Sequence, residues 1–278
     1  MEIGIFERIF ERPTLQATLD AVVDNGLSHI QLDLASAGLP SMPDRIPATV
    51  ASEIRDACSA RGIHITAVSG TWNMIHPDLR IREQGFVALG AIAAACDTIG
   101  TSTITLCTGT RDPDSMWRRH PDNDTPEAWR DLVASLTRAL AIADRHDVVL
   151  AVEPEPANVM RSARRCRDLL DELAHPRLKV VMDAANVVAT DRSRPPEAVL
   201  DEAFDLLGGD VVVAHGKDLS ADGAFCAAGT GIVPWDHCLE RFRSVGFEGP
   251  IILHSLREDE VPTSVAFMRS RRNGHAHG

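Results

Sequence analysis

The feature that most constrains the fold is a unit that recurs along the whole chain. Short runs rich in Val and Ile alternate with longer amphipathic stretches. The candidate strands are residues 2–6, 29–34, 63–69, 102–107, 148–153, 178–183, 211–215 and 250–254. β-Branched runs bounded by turn residues favour strand. The stretches between them carry helix signals. Thr14, Thr125 and Ser162 stand where a side chain caps a first turn, and Pro126 follows Thr125 at a position where its missing N–H costs nothing. Gly26, Gly62 and Gly246 stand where a helix would stop. Strand and helix in strict alternation imply parallel strands joined by right-handed crossovers. Eight such units in roughly 250 residues predict a closed (β/α)8 TIM barrel of the α/β class. The rival, an open doubly wound sheet, calls for a glycine-rich first turn, and "EIGIFERIFERP" contains none. The expected organisation is one barrel domain over 1–270 with a short polar tail over 271–278. The longest connection, 108–125, is expected to be an elaborated loop.

Charge and cysteine usage narrow the partners. A formal net charge of −12 makes a nucleic acid or an anionic membrane a poor partner. The six cysteines form no CxxC pair, so neither a zinc ribbon nor a thioredoxin motif is supported. Cys58, Cys96 and Cys166 read as small core residues. With no signal peptide pattern and no long apolar run, the expected setting is cytoplasmic. The oligomeric state, a homo-oligomer included, is left open.

The polar residues on the strands carry the chemistry. "VVLAVEPEP" runs five small or branched apolar residues into Glu153 and Glu155, and other strands end in Asp183, His215 and His254. Each has an ordinary explanation when taken singly. A lone His is usually a satisfied core or surface residue, a lone Asp a helix cap, a lone Glu the partner of an arginine. Coordinating side chains at the ends of four successive barrel strands are harder to explain separately, because adjacent strand ends meet at the barrel mouth. Two carboxylates and two imidazoles suit a divalent ion. Carboxylates favour Mg2+ or Mn2+ and imidazoles Zn2+, Fe2+, Co2+ or Mn2+, so Mn2+ is the first choice.

These motifs resemble the xylose isomerase-like TIM barrel superfamily, including its sugar phosphate isomerase/epimerase branch, over nearly the whole chain. The superfamily holds sugar isomerases and epimerases, inosose-processing enzymes, hydroxypyruvate isomerases and repair endonucleases. The resemblance implies that Glu153 of "VEPEP", Asp183 of "VMDAAN" and His215 of "VAHGKD" hold one metal, with Lys217 and Asp218 matching the Lys and Asp that often follow that His. "AAGTGIVPW" (227–235) is similar to the segment before the last helix, and "SGTWNMIHPD" (69–78) to the third-strand loop of the sugar phosphate branch. Two positions depart. Asn186 stands where many epimerases carry a substrate-contacting His. His254 of "PIILHSL" stands where the eighth-strand Glu is common, which keeps a ligand and a base but removes the symmetric carboxylate pair.

Further roles are expected around this set. Glu153, His254 and Lys217 are the candidate catalytic residues. His254 has an unperturbed pKa of about 6.5, suited to a base near neutral pH. Lys217 would stabilise an enolate oxygen or a phosphate, unless it pairs with Asp218. Asn73, His76, Arg111, Glu155 and Asn186 are candidate substrate-binding residues. The loop 107–123 concentrates Arg111, Trp117, Arg118, Arg119 and His120, and arginine forks bind anions bidentately. Gly109 and Gly229–Thr230–Gly231 are weak phosphate signals. The expected function is a metal-dependent isomerase or epimerase acting on a small polyhydroxylated carbonyl compound (sugar, sugar phosphate or inosose) through an enediolate. The alternative is a metal-dependent lyase or dehydratase on the same kind of substrate. A repair endonuclease and a non-catalytic sugar-binding barrel rank below these.

Overall fold

The computed structural model describes residues 1–273. Eight parallel strands close into a barrel: β1 (Ile3–Phe6), β2 (His29–Leu32), β3 (His64–Ser69), β4 (Thr103–Cys107), β5 (Val149–Glu153), β6 (Leu178–Asp183), β7 (Val211–Gly216) and β8 (Ile251–Leu253). They follow chain order around the ring, and β1 pairs with β8 through Ile3 opposite Ile251. This closure excludes the open sheet. Every expected strand is present: six are one or two residues shorter than expected, β6 matches its expected range and β7 runs one residue further, to Gly216.

The helices α1 (Leu15–Asp24), α2 (Ala48–Ser59), α3 (Leu79–Ile99), α4 (Pro126–His146), α5 (Ala163–Leu173), α6 (Ala184–Thr190), α7 (Pro196–Leu207), α8 (Trp235–Ser244) and α9 (Val261–Asn273) occupy the connections. Their ends follow the caps read from sequence. Thr14, Thr125 and Ser162 accept from the backbone N–H of Ala17, Ala128 and Arg165. Gly62 and Gly246 take the left-handed φ of 65° and 73° that stops a helix at little steric cost. α9 runs to Asn273, so it enters the expected tail; residues 274–278 of that tail lie outside the described ones.

Two packed layers follow from strand alternation. One large cluster fills the space between the strands and the ring of helices. Inside the barrel a smaller layer is built from Ala67, Ala151, Val181, Val213 and Ile252. Side chains two residues apart on a strand share a face. Ser69, Glu153, Asp183, His215 and His254 therefore stand on the inward face directly above that apolar plug, at the C-terminal end where TIM barrels place their sites. Cys58, Cys96 and Cys166 are buried free thiols, as expected. Among the described residues, no helix is long and apolar enough to cross a membrane.

Candidate metal centre

Register brings the strand ends together. Cys107 lies opposite Glu153, and Asp183 opposite His215. Glu153, Asp183, His215 and His254 each offer one ligand atom, and these atoms all lie within 4.8 Å of one another. The expected four-residue set is thus assembled in one place.

The hydrogen bonds show how the set is held. His215 Nε2 meets Gln31 Oε1 on β2 at 2.9 Å, and in the tautomer that donates there Nδ1 carries the lone pair. That Nδ1 is buried without a hydrogen-bond partner. It faces Glu153 Oε1 at 3.4 Å and Asp183 Oδ2 at 3.9 Å. A buried lone pair aimed at two carboxylate oxygens is costly unless something positive lies between them. A divalent cation satisfies all three, so the residues fit a metal.

Asp183 divides its oxygens. Oδ1 accepts from Asn186 N at 3.0 Å and caps α6. Oδ2 faces His254 Nε2 at 2.9 Å and Lys217 Nζ at 3.2 Å. Burial by itself would raise the Asp183 pKa, but Lys217 and the two imidazoles hold it well below the usual carboxylate range. Burial likewise works to depress Lys217, yet Asp183 and Glu153 outweigh it and hold the ammonium above its ordinary value. The His254 imidazole is pushed down to about 4, first by burial and then by Lys217 and His215. Ser255 Oγ meets its Nδ1 at 3.0 Å. Asn186 Nδ2 donates to Glu153 Oε1 at 2.7 Å, and its own Oδ1 is buried without a partner. Burial pushes the Glu155 carboxyl up to about 7, against the hydrogen bond it accepts from Ala157 N.

These residues open into a cavity of about 570 Å³, within the ~300–1,000 Å³ range of small-molecule sites. The β5–β8 half of its wall supplies Glu153, Glu155, Asn186, His215, Lys217 and His254. The opposite half supplies Phe6, Gln31, Ser69, Thr105 and Cys107 from β1 to β4. Burial, reinforced by Glu153 and Glu155, pushes the Cys107 thiol up and keeps it protonated. Trp117 and Phe225 form aromatic parts of the wall, and Phe225 lies against the Lys217 ammonium at 4.0 Å. Gln31, Thr105 and Phe225 are absent from the site as read by sequence. Gln31 had a visible signal, an amide inside the apolar run "HIQL"; Thr105 and Phe225 had none.

Several expected residues are placed elsewhere. Asn73 ties two loops together, donating to Thr110 O at 2.9 Å and accepting from Thr110 N at 3.0 Å. His76 Nε2 meets Pro113 O at 3.0 Å, while its Nδ1 accepts from Asp78 N. Arg111 bonds Ile75 O at 3.1 Å and Asp131 at 2.7 Å, sharing that carboxylate with Arg82. None of the three lines the metal cavity, because neighbouring backbone and Asp131 use their polar atoms. Arg118 pairs with Asp112 and Arg119 with Asp124. Lys217 pairs with Asp183 and not Asp218, whose oxygens accept from Leu219 N, Val233 N, Gly229 N and Trp235 Nε1. The 229–231 segment thus packs on Asp218, and Gly109 packs against Asn73.

Solved structures share this architecture. A 3-keto-D-glucoside 4-epimerase from E. coli superposes with a TM-score of 0.75 at 15% identity, covering 97% of this chain and 99% of that one. A probable 3-DHS dehydratase from Bacillus anthracis gives 0.72 at 14% identity, covering 97% and 99%. The IOLI protein, solved with zinc bound, gives 0.72 at 15% identity, covering 97% of each chain. At such identities the likeness is one of fold. No curated protein matches the chain in sequence. Residues 19–271 match the xylose isomerase-like TIM barrel family, and the chain belongs to that family.

Proposed function

We propose that the protein is a divalent-metal-dependent isomerase or epimerase acting on a small polyhydroxylated carbonyl compound (sugar, sugar phosphate or inosose) through an enediolate. One observation carries this reading: four ligand atoms lie within 4.8 Å of one another, with the buried His215 Nδ1 left unpartnered among them. Glu153, Asp183, His215 and His254 would hold the ion, with Mn2+ the first choice and Mg2+, Zn2+, Co2+ or Fe2+ compatible with the same donors. When bound, such an ion supplies Lewis-acid polarisation of a carbonyl and its neighbouring hydroxyl.

The protein's own groups supply the proton chemistry. Glu153 lines the cavity as a carboxylate able to take a proton from the carbon beside the carbonyl. Lys217, held protonated, can donate to an oxygen that gains charge. Glu155, with its pKa near 7, can hold or release a proton at working pH. His254 is neutral at that pH and can accept one when its ring nitrogen is free. Asn186 holds the Glu153 carboxylate through its Nδ2 and lines the cavity, and its unpartnered Oδ1 is a candidate acceptor for a substrate hydroxyl. Asn73, His76 and Arg111, whose polar atoms are engaged in the loops, support the wall and do not contact substrate in this reading.

One feature favours a second reading, a lyase or dehydratase. A carboxylate and an imidazole do not form the symmetric pair that inverts a carbon, and Glu155 is poised to protonate a departing hydroxyl. A nucleic-acid substrate fits poorly with a net charge of −12. The experiment is a screen of keto-sugars and inososes in D2O with Mn2+, read by mass and NMR. Deuterium in an unchanged carbon skeleton supports isomerisation or epimerisation. Loss of water or an aglycone supports the lyase. Tight sugar binding by metal-free protein, with no exchange or product in the loaded protein, overturns both in favour of a binding barrel.

A further inference from the structure

We propose a second small-molecule site, outside the metal cavity, that takes a small phosphate-bearing anion. A cavity of about 540 Å³ is walled by the loops after β4 and β5, the start of α5, the end of α6 and the start of α7. No residue lines both it and the metal cavity. Four arginines from three segments of the chain converge on it: Arg119, Arg161 with Arg164, and Arg194. Such convergence runs against the bulk charge of an acidic protein.

The charges on this wall do not balance. Four guanidinium groups share it with the carboxylates of Asp191 and Glu202. Asp191 spends Oδ1 on Ser193 N and Oγ. Glu202 is divided between Arg194 at 2.6 Å and Arg164 at 3.8 Å. Asp124, reaching in from the β4 loop, is divided between Arg119 and Arg161, the latter at 3.4 Å. Each shared carboxylate therefore holds two arginines, one closely and one loosely. Exposed pairs of this kind contribute roughly 0–1 kcal/mol, so a stronger acceptor can displace them. Guanidinium forks meet phosphate oxygens bidentately, and several converging forks favour a phosphate over a single carboxylate.

Arg164 adds to this from the first turn of α5. That turn carries no acidic residue, and the positive end of the helix adds to the arginine field instead of opposing it. The site is also adjacent in sequence to residues of the metal cavity. Pro156 and Val187 line it, and they directly follow Glu155 and Asn186.

Isothermal calorimetry tests the proposal with inorganic phosphate titrated into metal-free protein at constant ionic strength. Metal-free protein is required because phosphate would also ligate the ion. One saturable binding event is expected. The double variant Arg161→Ala/Arg194→Ala, which takes one arginine from each shared carboxylate, should weaken it at least tenfold while melting within a few degrees of the wild type. Arg8→Ala, which removes a cation from the rim of the metal cavity, should leave it unchanged. No saturable binding to the wild type overturns the proposal. So does an undiminished affinity in the double variant, or a loss in Arg8→Ala equal to that in the double variant.

Discussion

The two halves of the barrel mouth are built from the same strand geometry but present different chemistry. At the ends of β5 to β8 stand Glu153, Asp183, His215 and His254, all able to ligate metal. At the ends of β1 to β4 the inward positions are Phe6, Gln31, Ser69, Thr105 and Cys107, none of them charged. One half concentrates negative charge and imidazole around one point. The other offers hydroxyls, an amide, apolar surface and the paired Arg8 and Asp33. The contrast suggests a division of labour, in which one half would hold the ion and the other shape the pocket, and two side-chain contacts cross between them, His215 to Gln31 and Cys107 Sγ to Glu153 Oε2. The charges that half does bring to the cavity are paired, Arg8 with Asp33 at 2.8 Å, and the Glu7 carboxyl lies outside it. Glu7, just after β1, is fully buried, accepts from Asp33 N at 2.9 Å, and burial pushes its carboxyl up to about 8.

The largest effect should come from removing a ligand. Glu153→Gln and His215→Ala are expected to lose stoichiometric metal by elemental analysis while keeping the fold, since both side chains stand above the packed layers. Unchanged metal content in both variants would erase the contrast between the halves. Gln31→Leu sharpens the contrast across the His215–Gln31 bridge. With the tautomer of His215 no longer fixed, metal affinity should fall roughly 10–100-fold, the usual effect of an outer partner. An unaltered affinity would mean that Gln31 belongs wholly to the substrate side. Thr105→Ala should act only on that side. Its hydroxyl is buried without a partner on the cavity wall, so KM should rise several-fold with metal content intact.

The smallest effect is on stability and follows from Glu7. Its folded pKa of about 8 exceeds the ordinary 4.5. Between those values the folded state binds a proton that the unfolded state has released, so stability falls as pH rises through that window. Below pH 4.5 both states are protonated and no such loss is present. Glu7→Gln should remove the slope and melt higher than the wild type at pH 8, at about 2–4 °C per kcal/mol recovered. Parallel melting curves for the two proteins from pH 5 to 8 would show that Glu7 is ionised in the fold.

The same contrast explains what the sequence made legible. The barrel could be read because parallel strands buried on both faces become Val- and Ile-rich runs, and helix caps are local. The metal set could be read because charged and imidazole side chains break those runs at their ends. The β1–β4 half could not, because Thr105 and Ser69 on a strand look like ordinary β-formers. Loop residues were the hardest. Asn73, His76 and Arg111 have the right chemistry for a substrate, but their partners, Thr110, Pro113 and Asp131, lie 37, 37 and 20 residues away. No local pattern reports such pairing. Lys217 shows the same limit, since its partner is Asp183 across the strand pair and not its neighbour Asp218.

The central claim is that Glu153, Asp183, His215 and His254 form one divalent-metal site with His215 bound through Nδ1. The most direct test is a crystal structure of protein loaded with Mn2+, with anomalous data collected to locate the ion. The account predicts one strong peak among the four side chains, at bonding distance (about 2.0–2.2 Å) from His215 Nδ1, with Nε2 still bonded to Gln31. Loaded crystals with no peak there, or with the ion held by Nε2 and the Gln31 bond broken, would contradict it.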